Sequence, residues 1–96
     1  MKRVFVDMDG VLCEYRAGDS VEDMAREGYF RGLAPRRKTV EAVKRLIEKG
    51  DAAVYVLSAV FPHTAEASVR EKNEWLDEFL PEIDGDHRIF TLCGTN

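Results

Sequence analysis

The hydrophobic pattern predicts three short strands. Apolar residues follow one another with little alternation over residues 3–7 and 52–57, which is typical of strands buried on both faces of a sheet. A third apolar run, residues 88–93, follows the turn-rich segment 81–86. We therefore expect two buried strands early in the chain and a third strand after the last turn.

Two helices are predicted between these strands. Apolar residues recur three and four positions apart after Thr39, a candidate N-cap, and this pattern ends at Gly50. A second helix is predicted from residue 65 to about residue 80, because Thr64 can cap its start and Pro81 ends it.

The order of these elements predicts one α/β domain. A strand, helix, strand, helix, strand succession implies right-handed βαβ crossovers and a Rossmann-like parallel sheet. Glycines interrupt residues 13–35, where residues 21–27 can form a short helix, so we interpret this segment as a small cap inserted after the first strand. Residues 1–12 and 36–96 then form the core, and 96 residues suffice for a single hydrophobic core.

The composition limits the class of partner. A net charge of −4 argues against binding of polymeric nucleic acid or an acidic membrane surface, so an anionic ligand needs local cations or a metal ion. The sequence shows neither a signal peptide nor an apolar stretch long enough to span a bilayer. Cys13 and Cys93 lack metal-type spacing and are expected to be free thiols. We expect a cytoplasmic protein with a small-molecule partner.

Two acidic residues follow the first strand directly. Residues 7–10 read Asp-Met-Asp-Gly, and Asp7 and Ser58 both fall at carboxyl ends of predicted strands, where parallel sheets bind ligands. The Asp-Gly pair between two apolar runs is also a hairpin signal, and that alternative stays open at this point. Neighbouring carboxylates favour a bound cation, and Mg²⁺ suits them because it takes oxygen ligands and retains waters that a phosphate can replace. Asp7 would then attack phosphorus, and Asp9 would act as general acid and base.

A lysine lies within the apolar stripe of the second long helix. Lys72 shares one side of that helix with Val69 and Leu76. Its ammonium group either extends past Trp75 to solvent or is directed at an anion. We interpret the groups at this edge of the sheet as a phosphate pocket, because they combine a pair of acids, the Ser58 hydroxyl and this ammonium.

These motifs resemble those of the haloacid dehalogenase superfamily of phosphotransferases. Its first three motifs match the Asp-x-Asp-Gly of residues 7–10, the apolar strand and hydroxyl residue of residues 54–58, and Lys72 on the next helix. Residues 28–35 and 71–80 further resemble the cap return and the lysine helix of 5′(3′)-deoxyribonucleotidases and their bacterial relatives. The resemblance implies Mg²⁺-dependent hydrolysis of a phosphomonoester, in particular a nucleotide, through an aspartyl-phosphate on Asp7.

Two alternatives to nucleotide hydrolysis stay open: a phosphatase for a sugar or another small phosphate, and a catalytically inactive form that only binds.

The resemblance also assigns roles within the site. The implied roles are catalysis and metal binding by Asp7 and Asp9, phosphate binding by Gly10, Ser58, Ala59 and Lys72, and contact with a nucleoside-like group by Tyr29, Phe30 and Arg31.

One motif of the superfamily is not found. The acidic pair that completes the metal site is expected downstream of residues 89–96, where the sequence stops. We consider two interpretations, a C-terminally shortened form of a longer protein and a short form with an incomplete metal site. In both, the first strand is expected at the sheet edge, where it favours pairing with another chain. We therefore expect a homodimer or higher self-association.

Overall fold

A three-stranded parallel sheet forms the centre of the fold. The structure is a computed structural model that describes residues 1–14, 16 and 18–92. The strands lie in the order β1-β2-β3, which confirms the predicted α/β fold with a parallel, Rossmann-like sheet. The third strand was expected to reach Cys93, which lies outside the described residues. The strands are β1 (Lys2–Asp7), β2 (Ala52–Val60) and β3 (Arg88–Leu92).

Three α-helices connect the strands in the described part of the chain. Two short 3₁₀ helices, Pro62–Thr64 and Gly85–His87, precede the last helix and the last strand. The α-helices are α1 (Val21–Met24), α2 (Arg37–Lys49) and α3 (Ala65–Phe79). The second and third were predicted nearly to their bounds, whereas α1 is three residues shorter than the predicted segment 21–27.

The helix caps differ in part from the prediction. Thr39 is not the N-cap of α2, because that helix begins at Arg37 and the cap position falls on Arg36, which makes no side-chain cap bond. Gly50 is the C-cap, as predicted, and adopts a φ of 74° that suits glycine. Thr64 occupies the N-cap position of α3 but makes no side-chain cap bond.

Both long helices pack on one face of the sheet. Val54 and Val56 of β2 lie in one hydrophobic cluster with Val43 of α2 and Trp75 of α3. Right-handed crossovers that advance in the same direction across a sheet place both helices on the same side, as observed here. Phe5 points away from this cluster and is 53% exposed.

The prediction that β1 and β2 are buried on both faces is therefore wrong. Their side chains alternate in exposure, although their sequences do not alternate in polarity. A run of consecutive apolar residues shows only that both faces of a strand can be buried. The described helices cover one of the two faces of this sheet.

The strand β2 extends beyond its predicted end at Leu57. Asp7, the last residue of β1, is paired with Leu57, while β2 continues along β3 until Val60 pairs with Leu92. Ser58 therefore lies inside β2 rather than at its end. It is nevertheless the first residue of β2 beyond the end of β1, so its side chain lies at the carboxyl edge of β1.

The hairpin alternative for the Asp-Gly pair does not form. Residues 8–13 instead make a tight loop in which the amides of Val11, Leu12 and Cys13 all donate to the Met8 carbonyl. Gly10 has a φ of 81°, in the left-handed region that favours glycine. The loop turns the chain from β1 toward the segment predicted to form the cap and leaves Asp9 beside β2.

No helix within the described part of the chain is long and apolar enough to cross a membrane.

Candidate functional site

The two motif acids occupy different surroundings. Asp7 ends β1 and is exposed, and its side chain makes no hydrogen bond or ion pair with the described residues. Asp9 lies in the following loop with one third of its side chain exposed. One carboxylate is thus accessible to a ligand, while the other is held by neighbouring groups.

Lys72 connects these neighbouring groups. Its side chain is buried, and its ammonium Nζ lies 3.0 Å from Asp9 Oδ2, 2.8 Å from Ser58 Oγ and 2.9 Å from the Ala59 carbonyl oxygen. The alternative in which this lysine extends to solvent is therefore wrong. An ammonium has three protons, and these three acceptors use all of them. An incoming phosphate oxygen must replace one of these acceptors or share a proton with it.

Cys13 contacts the other oxygen of Asp9. Its thiol lies 3.5 Å from the Met8 carbonyl oxygen and 3.8 Å from Asp9 Oδ1, and it is buried and free. Burial, and then the negative charge of Asp9, raise the pKa of the Cys13 thiol to about 11. The thiol therefore stays protonated at neutral pH and can act as a weak donor to Asp9.

A cleft of about 220 Å³ opens beside Lys72 and Asp9. Charged side chains at residues 14 and 16 also border it. It is smaller than the ~300–1,000 Å³ of typical pockets for drug-sized ligands, so it suits a small group. Its remaining lining residues are mainly apolar: Met24, Tyr29, Phe30, Leu33, Ala59, Val60 and Phe61.

Two of the three predicted cap residues line this cleft. The Phe30 ring centroid lies 4.4 Å from Lys72 Nζ, within the range of a cation–π contact. Tyr29 packs edge-on against Phe30 and donates its hydroxyl to Asp19 Oδ2 at 2.8 Å. Burial and this bond to Asp19 raise the pKa of Tyr29 to about 12, so it remains a neutral donor. The Arg31 side chain instead pairs with Glu78 and does not line the cleft.

Two further predicted phosphate contacts have other partners in the structure. The amide N–H of Gly10 donates to the Cys13 carbonyl at 2.9 Å. Ala59 presents its carbonyl oxygen to Lys72. The structure thus brings Asp9, Ser58 and Lys72 together and uses these two backbone groups to hold the loop and the lysine.

Glu71 and Trp75 make side-chain contacts with residues 28–33 that the sequence did not predict. The Glu71 carboxylate accepts backbone N–H bonds from Gly28, Phe30 and Arg31, and the Trp75 indole donates to the Leu33 carbonyl at 2.8 Å. The i, i+4, i+7 spacing of positions 71, 75 and 78 predicts that they share a face of α3, but it does not predict the backbone groups that contact this face.

The donor chemistry of the site suits Mg²⁺. Asp7 and Asp9 supply carboxylate oxygens, and Mg²⁺ is commonly held by one or two carboxylates together with waters and substrate phosphates. Among the residues that the structure describes, no group of three or more His, Cys, Asp or Glu side chains could hold a metal ion.

Comparison with known proteins places the chain in a family. Residues 20–94 match the model of the family described as "5' nucleotidase, deoxy (Pyrimidine), cytosolic type C protein". A Staphylococcus aureus protein named "Putative 5'(3')-deoxyribonucleotidase" is 33% identical over 94 residues, 98% of this chain and 44% of its own length. A Staphylococcus epidermidis protein of the same name is 36% identical over 75 residues, 77% of this chain and 38% of its own length.

The family match and these relatives identify the chain as a member of the haloacid dehalogenase-type nucleotidases, and its parallel α/β fold agrees with that class. The chain belongs to the deoxy, cytosolic type C family of 5′ nucleotidases. This confirms the resemblance drawn from the motifs. The chain spans less than half the length of the relatives it matches.

Proposed function

We propose that the protein hydrolyses the phosphate ester of a deoxyribonucleoside monophosphate. The observation that carries this proposal is the buried Lys72 ammonium, which contacts Asp9 and Ser58 beside a small, mainly apolar cleft. A buried ammonium can bind a phosphate oxygen at this edge, while the cleft holds an attached organic group. The family membership of the chain supports the same reaction class.

The proposed reaction divides the work between the two acids. The proposed first step requires Asp9 in its protonated form. A carboxylate oxygen of Asp7 attacks phosphorus, the bond to the leaving oxygen breaks, and the protonated Asp9 donates its proton to that oxygen. A water then attacks the phosphorus of the aspartyl-phosphate, Asp9 takes a proton from it, and the bond to Asp7 breaks. Inorganic phosphate and the two original carboxyl groups remain.

Lys72 and a divalent cation supply positive charge in this proposal. Lys72 binds a phosphate oxygen, and its contacts with Ser58 and Ala59 fix the position of its ammonium group. We propose Mg²⁺ as the cofactor, held by Asp7 and Asp9, and when bound it would neutralise part of the negative charge of the phosphate.

The lining of the cleft favours a nucleoside over a sugar. Phe30, Tyr29 and Phe61 present aromatic surface to it, and planar bases stack well on such rings. A sugar offers many hydroxyl groups, which need polar partners that this lining provides only at its charged rim. The sugar phosphatase alternative is therefore less well supported.

Phosphate release from dTMP in the presence of Mg²⁺ tests the proposal. Asp7→Asn should abolish release, because an amide oxygen is a poor nucleophile, while Asp9→Asn should slow turnover and retain phosphate binding. Asp51→Asn is the matched control, since Asp51 is exposed at the opposite end of the sheet. Full activity of Asp7→Asn would refute the nucleophile assignment. Phosphate binding without turnover by the unaltered chain would favour the inactive binding form.

We also propose that the protein self-associates. Its partners are then the small phosphomonoester and a second copy of the same chain. The cytoplasmic location inferred from the sequence stays a prediction.

A further inference from the structure

We propose that Glu71 and Trp75 form a clamp that positions the cap segment 28–33 over the phosphate site and thereby sets the affinity for the organic part of the substrate. The proposal rests on the proposed function, because it concerns the same site. The two residues do not line the cleft, so we assign them a positioning role.

The clamp is made by side chains of α3 and backbone groups of the cap. Glu71 Oε2 accepts the Gly28 N–H at 3.0 Å, and Oε1 accepts those of Phe30 at 3.1 Å and Arg31 at 3.2 Å. One turn further along α3, Trp75 Nε1 donates to the Leu33 carbonyl. Four of the six residues in segment 28–33 are therefore bonded to α3 through their backbone.

The clamp requires a carboxylate at position 71. Three backbone donors converge on this side chain, which is 5% exposed, and Gly28 adopts a φ of 84° at the start of the segment. A carboxylate is an acceptor at both oxygens and can satisfy all three donors. A glutamine has only one acceptor atom, so its NH₂ group would face a backbone N–H and leave that donor without a partner.

The clamp links the cap to the phosphate site through one helix. Glu71 is adjacent to Lys72, and segment 28–33 carries the Phe30 ring that lies 4.4 Å from the Lys72 ammonium. Phe30 and Tyr29 line the cleft, whereas Ser58 and Asp9 hold Lys72 independently of the cap. Loosening the clamp should therefore move the aromatic wall of the cleft and leave the phosphate contacts in place.

The test compares two ligands in one protein background. Asp7→Asn prevents consumption of the ligand, and calorimetry with Mg²⁺ then gives affinities for dTMP and for inorganic phosphate. Adding Glu71→Gln should weaken dTMP binding about tenfold or more, the loss expected for one hydrogen bond to a charged group, and phosphate binding less than about twofold. Glu74→Gln is the control, because Glu74 is half exposed on the same helix and its one ion pair within the described residues is with Arg70 at 4.0 Å. It should change neither affinity.

Hydrogen exchange provides a readout that does not depend on ligand binding. Glu71→Gln should accelerate exchange at one or more of the amides of Gly28, Phe30 and Arg31 by about tenfold, for the same reason. Unchanged exchange at all three amides, unchanged dTMP affinity, or equal loss of both ligands would overturn the clamp. If the parent binds phosphate but not dTMP, the nucleotide function fails, and the exchange rates alone decide whether Glu71 holds the segment.

A second variant covers the case in which Glu71→Gln does not fold. Trp75→Phe keeps an aromatic ring in the core, removes the indole N–H that binds the Leu33 carbonyl, and also removes part of the buried ring volume. It should produce the same selective loss of dTMP affinity, to a smaller extent. Loss of both affinities in equal proportion, or of neither, would count against the clamp.

Discussion

Lys72 Nζ lies 3.0 Å from Asp9 Oδ2, although the two residues are 63 positions apart in the sequence. The contact joins the loop after β1 to α3 at the carboxyl edge of the sheet. Because Lys72 is fully buried, its charge depends on Asp9 for neutralisation, and Asp9 retains access to solvent over one third of its side chain. The side chains of the proposed phosphate site are thus in contact with one another without a bound anion.

We predict that Lys72 and Asp9 are energetically coupled. Lys72→Met should destabilise the protein because Asp9 and Ser58 lose their common donor, and the same change in an Asp9→Asn background should cost less. Urea unfolding of the two single variants and the double variant should give a coupling of about 0.5–3 kcal/mol. The exposed pair Arg70 and Glu74 is the control, since such surface pairs contribute about 0–1 kcal/mol. Strictly additive effects at Lys72 and Asp9 would contradict the prediction.

A second prediction concerns Mg²⁺ and phosphate. Mg²⁺ is usually bound by one or two carboxylates and completes its coordination with waters and phosphate oxygens, so the two ligands should strengthen each other's binding at this site. Titration of Mg²⁺ with and without saturating inorganic phosphate should show an affinity difference of about 5–150-fold, the usual range of such coupling. Asp7→Asn should reduce this difference and Asp51→Asn should not. Equal Mg²⁺ affinity under both conditions would exclude a shared site.

A third prediction uses the buried thiol of Cys13. Its pKa is about 11 in the folded protein against an ordinary value of 9.0, so the folded state holds this proton more tightly than the unfolded state. The resulting stability is present below pH 9 and is lost as the pH rises from 9 through 11.

Urea unfolding at a series of pH values measures this effect. Both proteins carry Cys93→Ser. The Cys13→Ala variant should lose less stability between about pH 8 and pH 10 than the protein that retains Cys13, because only the latter has a thiol at position 13 whose ionisation favours the unfolded state. Tyr29, with a pKa raised to about 12, is present in both proteins and cancels. Parallel pH profiles for the two proteins would contradict the assignment.

Local patterns in the sequence were enough to predict the elements and part of the site. Ser58 and Lys72 follow signals that lie within one strand and one helix, and the order of the elements brings them to one sheet edge. The three backbone bonds to Glu71 were not predictable in this way, because their donors lie 40 to 43 residues away and depend on the path of the cap. The exposure of Phe5 depends likewise on which face of the sheet the crossover helices cover. An apolar run in the sequence does not show which face that is.

The last prediction is that the protein self-associates through β1, as the sequence already suggested. Within the described residues, β1 pairs only with β2, so its other edge is available for a further strand. Phe5 extends apolar surface beside this edge, where it is 53% exposed and stacks on Tyr55 with ring centroids 5.1 Å apart. A two-fold dimer would pair β1 antiparallel with β1 of the second copy and bury both Phe5 rings.

Light scattering or sedimentation at micromolar concentration should therefore report a dimer. Phe5→Lys should shift it toward monomer, because a charged side chain beside an edge strand opposes pairing with another chain. Val21→Lys is the control, since Val21 is a similarly exposed apolar residue, 46% exposed, in α1 outside the sheet. It should leave the dimer intact. A well-folded monomer across this concentration range, or equal effects of the two substitutions, would show that the edge of β1 is not the interface.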